Sequence, residues 1–177
     1  MLDSPDDLVP ADAPGDLRRL AAYWIARAAG RRMPCFEDID PVDLPWALSR
    51  LFVVRAMDGG ADFEYRLAGQ EIYERHGGSI VGKRAGDLFR PAGAAAILAR
   101  WRRVVTEPAA CYTYAQHPTN AGQRMPGYRV VLPVGPADGP ADHMVGMTVY
   151  AKSAAIPVLQ AETEIIDLRW VSLRDSR

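Results

Sequence analysis

The sequence predicts an α+β domain: a five-stranded antiparallel sheet with helices on one face, preceded by an amphipathic flanking helix. Two observations carry this. Short strand-like runs come in two groups, Leu51–Met57 and Asp62–Leu67 early, then Ala110–Gln116, Tyr128–Val134 and Met144–Ala151 late. Between the groups lie helical patterns, the longest from Pro91 to Val105. The late strands are joined by two polar Gly/Pro-rich loops, Pro118–Gly127 and Gly135–Asp142. Strands, then helices, then strands is an α+β order.

The elements follow in turn. Residues 1–15 are acidic, proline-rich and aperiodic, and read as a disordered leader. Residues 16–49 hold a helix and a docking segment. Asp16 is placed to cap a helix over Asp16–Ala29, and Leu17, Leu20, Ala21, Trp24, Ile25 and Ala28 recur on one stripe. That stripe needs a partner, either the domain itself or a second subunit. Further on, Asp40 caps and Pro41 suits the first position of a helical turn running to about Ser49.

The core spans residues 50–151. In its second strand Phe63, Tyr65 and Leu67 point one way, Glu64 and Arg66 the other. Arg66 is expected to bridge to Asp38 or Asp40. Ala68-Gly69 breaks the alternation, a short helix with Ile72 and Tyr73 follows, and Gly77-Gly78 ends it. In the central helix Ala94, Ile97, Leu98, Trp101, Val104 and Val105 form the apolar stripe. Residues 152–177 form a C-terminal extension. Ile166, Leu168 and Trp170 alternate as in an extended segment, while Pro157 followed by Ile165 and Leu168 also fits a helix.

Composition narrows the function. The chain has 177 residues, a net charge of −1 and only two lysines, Lys83 and Lys152. There is no basic patch for nucleic acid and no apolar run of the roughly 20 residues that span a bilayer. The acidic start is unlike a secretory signal, so a cytoplasmic protein with no membrane partner is expected. Cys35 and Cys111, with three scattered histidines, give no metal-ligand spacing. Cys111 and His117 would lie roughly 20 Å apart on one strand, too far for a nucleophile–base pair. No catalytic residue and no metal site are assigned. His76, at the end of a short helix, reads as solvated or capping, and Cys111 as a small buried residue.

Tyr65, Tyr73, Trp101, Thr113, Tyr114 and Tyr128 are the candidate ligand-binding residues. Aromatic side chains on an apolar face are ordinarily core, but buried phenols and a threonine hydroxyl need partners, which a ligand supplies.

Several pieces share one wording. They are Tyr23-Trp24, Arg32-Met33-Pro34, Asp38-Ile39-Asp40-Pro41, Leu44-Pro45, Tyr65-Arg66-Leu67-Ala68-Gly69 and Tyr128–Val134. In order and spacing, over about Leu17 to Ala151, they resemble a stand-alone bacterial branch of the PAS family. The resemblance implies a non-enzymatic sensory or interaction module in signalling, with small molecules held between sheet and central helix. Flavin photoreceptors of the family carry an Asn-Cys-Arg motif, and haem sensors a histidine on or near the central helix. This chain has neither, so no cofactor is expected. The implied partners are a small molecule, an unknown downstream signalling protein, and a second copy in a homodimer formed through the helix Asp16–Ala29. The alternatives are a pure dimerisation module with a filled core and, from another class, a small α+β enzyme.

Overall fold

A computed structural model describes residues 2–88, 91–119, 121–136, 138–151 and 163–173. Strands β1 (Leu51–Met57), β2 (Asp62–Ala68), β3 (Ala109–Pro118), β4 (Arg124–Val134), β5 (His143–Tyr150) and β6 (Glu164–Ser172) form one sheet in the order β2-β1-β5-β4-β3-β6. Every pairing is antiparallel. Helices α2 (Gln70–His76), α3 (Ala85–Leu88) and α4 (Pro91–Thr106) fall between β2 and β3, and α1 (Gly15–Ala28) precedes the sheet.

The sheet has six strands rather than five. The additional strand, β6, comes from the C-terminal extension and pairs with β3 from Ala109↔Ser172 to Gln116↔Glu164. The alternation of Ile166, Leu168 and Trp170 therefore reports an edge strand, the extended one of the two alternatives. The rest of the extension, 152–162 and 174–177 with the helix considered from Pro157, lies outside the described residues. The Pro118–Gly127 loop is shorter than its composition suggests. Strands β3 and β4 stay paired out to Pro118↔Arg124, and the Thr119 backbone N–H closes the turn on the Gln123 carbonyl at 2.8 Å.

Register assigns the faces, because directly paired residues share a face and neighbours along a strand alternate. Phe52, Gly146, Val131, Cys111 and Trp170 form one cross-strand row. Phe52 stacks on Trp101 of α4, with ring centroids 5.8 Å apart. This inner face is therefore the one under α4. The next row, Leu51, Met147, Val130 and Tyr112, points to the other side and is buried throughout.

Helix α1 covers that outer face. It touches β4 and β5, and Leu17, Leu20, Ala21, Trp24 and Ala28 are all buried. The Trp24 Nε1–H donates to the Pro133 carbonyl at 2.8 Å. That carbonyl lies beyond Cys111↔Val131, the last β3–β4 pair, so the indole takes an acceptor that β3 leaves uncovered. The apolar stripe thus finds its partner within its own domain, and the reason for expecting a homodimer through this helix falls away. Asp16 is not the cap. Pro14 occupies that position, and Asp16 instead accepts from Arg50 Nη2 at 2.8 Å.

The leader is ordered, contrary to its composition. Ser4 and Asp7 build a capping box around the turn Pro5–Asp7, and Leu8 and Val9 are fully buried. Two apolar side chains completing a core outweigh the acidic and proline content around them. The docking segment follows its sequence signal: Asp40 Oδ1 accepts from the Val42 N–H at 2.9 Å, Pro41 opens the turn, and Leu44 and Ala47 are buried. The Arg66 bridge does not form. Arg66 Nη1 pairs with Glu64 Oε1 at 2.8 Å, two residues away on the same face of the same strand. Asp38 is held by Arg31 Nη2 at 2.7 Å and by the Cys35 N–H at 2.8 Å.

Candidate functional site

A partly open cleft lies between the inner face of the sheet, α2 and α4, with an enclosed space of about 30 Å³. Phe52, Tyr65 and Trp101 make its apolar wall. Trp101 is the hub: it stacks on Phe52 and meets Phe63 and Tyr65 edge-on, with centroids 5.4 and 6.0 Å away. Glycine makes this packing fit. A Cβ on Gly146 would stand 2.3 Å from Phe52 Cζ, so only a glycine opposite Phe52 lets that ring lie flat on the sheet. Gly127 plays the same part for His117 and Tyr150, whose ring atoms would come within 2.6 and 3.0 Å of an added Cβ.

The polar lining comes from two sources. Along β4 and β5 the inner-face pairs Arg129↔Thr148 and Gly127↔Tyr150 bring Arg129, Thr148 and Tyr150 to the cleft. Helix α2 adds Ile72, Arg75 and His76, which share one helical face at i, i+3 and i+4. Gly77, at φ 72°, terminates α2 immediately beyond His76. Arg129 Nε donates to Thr148 Oγ1 at 2.8 Å, and the Arg75 guanidinium lies 4.0 Å over the Tyr150 ring.

The field inside the cleft is positive. Among the described residues its lining contains arginines and a histidine but no carboxylate. Burial, then the nearby Arg129 and Lys83 charges, push the His76 imidazole down to about 4. Burial, then Arg129 and Arg75, do the same to His117, also to about 4. Arg100 is lowered too, by burial and then by Arg129. Tyr65 is pushed up to about 12, chiefly by burial. Both imidazoles are therefore neutral at pH 7, and the fixed charge of the cleft is that of its arginines.

The six residues chosen from sequence divide between the faces. Tyr65 and Trp101 line the cleft. Thr113 is on the same face, directly across from Arg129 in the β3–β4 register, with its hydroxyl 3.8 Å from Cys111 Sγ. Tyr73 is on α2, half-buried against the core. Tyr114 and Tyr128 lie on the outer face, stacked on each other at 4.8 Å. Cys111 is buried, and burial pushes its thiol up to about 11. Sequence reasoning passed over Phe52, Arg75, Arg129, Thr148 and Tyr150, and it read His76 as solvated or capping, whereas His76 is half-buried and lines the cleft. The i, i+3, i+4 spacing in α2 and the alternation of Arg129 with Val131 would have found three of them. Among the described residues no group of three His, Cys, Asp or Glu could hold a metal ion.

The layout of a five-stranded antiparallel core with strand order β2-β1-β5-β4-β3, closed by helices between its second and third strands, meets a family assignment. A family model of the PAS domain matches residues 14–149. The chain belongs to the PAS family. No curated protein matches it. Among solved structures, the PAS domain of Bordetella pertussis BvgS is similar at 17% identity over 64% of this chain and 84% of that one, with a TM-score of 0.46. VqmA bound to DPO is similar at 15% identity over 64% and 57%, with a TM-score of 0.45. The Vibrio cholerae VqmA dimer without target DNA is similar at 13% identity over 66% and 55%, also at 0.45. The chain thus spans a little over half the length of these VqmA chains. PAS domains are in general sensory modules of signalling proteins rather than catalysts. No helix among the described residues of this one is long and apolar enough to cross a membrane.

Proposed function

We propose that this PAS domain is a non-enzymatic sensor that takes up a small molecule in the inner cleft and passes the signal to a separate protein. One observation carries the reading. An aromatic wall built on Trp101 faces a small set of converging polar groups, Arg129, Thr148, Arg75 and His76, across an open mouth. Binding sites for small molecules combine these two features. Native mass spectrometry of freshly purified protein, beside a thermal-shift screen of neutral and charged metabolites, tests it. A saturable ligand whose binding is lost in Trp101→Leu supports the reading. A chain with no adduct and no stabilising compound refutes it.

The small size of the cleft favours a second reading, a filled core with an interaction role only. An enclosed volume of about 30 Å³ holds two or so water-sized groups. In that case Trp101→Leu lowers stability and changes no binding.

A further inference from the structure

The last strand of the sheet lies apart from the cleft, none of whose lining residues it supplies. We propose that β6 is an interaction edge whose occupant is β6 of a second copy of this chain, paired antiparallel about Leu168 so that two domains share one continuous sheet.

The two edges of the sheet are finished differently. At the β2 edge the chain covers itself. The Tyr65 N–H donates to the Lys83 carbonyl at 3.1 Å, the Gly82 N–H donates to the Tyr65 carbonyl at 2.8 Å, and Glu64 forms an antiparallel bridge with Arg84. Among the described residues no strand pairs with the far edge of β6. Alternate residues of an edge strand point their N–H and C=O groups away from the sheet, a template for another strand. Proteins blunt such edges with lysine, proline or short length, but β6 has nine residues and neither lysine nor proline. Its side chains add apolar surface. Leu168 and Trp170 pair with Thr113 and Cys111, which puts both on the inner face. Helix α4 reaches Trp170, whose ring lies 4.3 Å from the Arg103 guanidinium, yet Ile166 and Leu168 stay 52% and 41% exposed.

The residues of this edge select a second copy as the partner, because Ile166-Asp167-Leu168-Arg169-Trp170 is its own antiparallel complement. With a two-fold axis at Leu168, that leucine meets its own copy. Ile166 then faces the partner's Trp170 and Asp167 faces the partner's Arg169, each twice over by symmetry. Opposite charges, and an aromatic against a β-branched side chain, stabilise a sheet when directly paired, whereas like charges there destabilise it. An axis at Asp167 or at Arg169 sets like charges face to face, so charge alone selects Leu168. Asp167 and Arg169 lie on the outer face, opposite Tyr114 and Tyr112, and Arg169 Nε donates to Asp167 Oδ2 at 2.9 Å. The pair is thus already side by side, ready to meet the partner's pair as a cluster of four alternating charges. The register shift between Tyr114 and Ala115, opposite Ile166, ends the complementary stretch on that side. One short strand makes a small interface, so the association is of the weak class and dilute protein is a single chain.

Sedimentation equilibrium of the full chain, from dilute to millimolar protein, tests the pairing, with thermal melts of dilute samples to show that each variant is folded. The wild type should pass from monomer to dimer. Asp167→Arg and Arg169→Asp, both at half-exposed positions, each put like charges face to face and should weaken the dimer about tenfold or more. Mixed together, the two variants set two arginines against two aspartates and should associate about as well as the wild type. The double exchange, Asp167→Arg with Arg169→Asp in one chain, should restore self-association in the same way. A wild type that stays monomeric at millimolar protein would overturn the proposal. A dimer that either single variant keeps at full strength would overturn it too, by placing the interface elsewhere. So would a mixture that fails to associate, since this register requires that it does.

Discussion

If α1 is part of the domain core rather than a dimerisation arm, its anchoring indole should matter to the stability of a single chain. The perturbation is Trp24→Phe. Trp24 is 1% exposed, and its Nε1–H reaches the Pro133 carbonyl at 2.8 Å. Phenylalanine keeps a ring in place but removes the donor and part of the buried surface. Losing roughly 50 Å² of apolar contact costs about 1 kcal/mol. Stranding the buried carbonyl adds about 1–3 kcal/mol. The total is about 2–4 kcal/mol, which for a domain of this size lowers Tm by roughly 5–12 °C. Urea unfolding at several protein concentrations measures it, with light scattering alongside. The midpoint should fall, the denaturant slope should hold, and neither should depend on concentration. A loss below about 0.5 kcal/mol, within the range of ordinary surface changes, would refute the reasoning. So would a change in association state at unchanged stability.

Other expectations follow from the same geometry. In Gly146→Ala the new Cβ would stand 2.3 Å from Phe52 Cζ, so the ring must move. Overpacking of that kind costs about 1–3 kcal/mol, and thermal melts with Trp101 fluorescence should show both the loss and the displaced wall. His76 and His117 sit at about 4 in the folded chain, against 6.5 for the free group. Between those values the unfolded chain binds protons that the native chain does not, so stability should fall as pH drops from about 6.5 to about 4. NMR titration of the ring protons should place both groups low, and Arg129→Met should raise both; unchanged values would remove Arg129 as a source of the field. Arg66→Ala should alter stability by under about 0.5 kcal/mol, because an exposed pair within one strand contributes little; a larger loss in a thermal melt would restore a tertiary role for that arginine. The purified protein should be colourless, and an absorption band beyond the aromatic region that survives gel filtration would contradict this.

The fold was legible wherever a periodic pattern met a single partner surface. Strands β1, β2 and β5 and helices α1 and α4 appear within a residue or two of where alternation or helical spacing puts them. The leader was misjudged because composition averages over residues, whereas Leu8 and Val9 act singly by joining the buried core. The Arg66 bridge was misjudged because a nearby acid on the same strand, Glu64, needs no tertiary arrangement to be reached. The site was half legible. Aromatic residues announce themselves in a sequence, which gave Tyr65 and Trp101. The face they occupy depends on register, and that sent Tyr114 and Tyr128 to the other side of the sheet. Arg129 was passed over because an arginine in a strand ordinarily points to solvent, although its two-residue spacing from Val131 puts the two on one face. The tertiary fold adds that it lines the cleft together with α2 and, among the described residues, forms no ion pair with a carboxylate.

The sheet itself is the one wall that α1 and the cleft share. Along β4, Arg129 and Val131 are on the inner face, with Arg129 in the cleft lining, while the buried Val130 and Leu132 are on the outer face that α1 covers, so the strand is packed from both sides. A strand held in this way cannot shift toward one neighbour without disturbing the other. Whatever displaces Arg129 should therefore be felt on the α1 side at Trp24 and Pro133, four residues and roughly 13 Å further along β4. A fluorine label on the Trp24 indole would then act as a remote gauge of any change at Arg129.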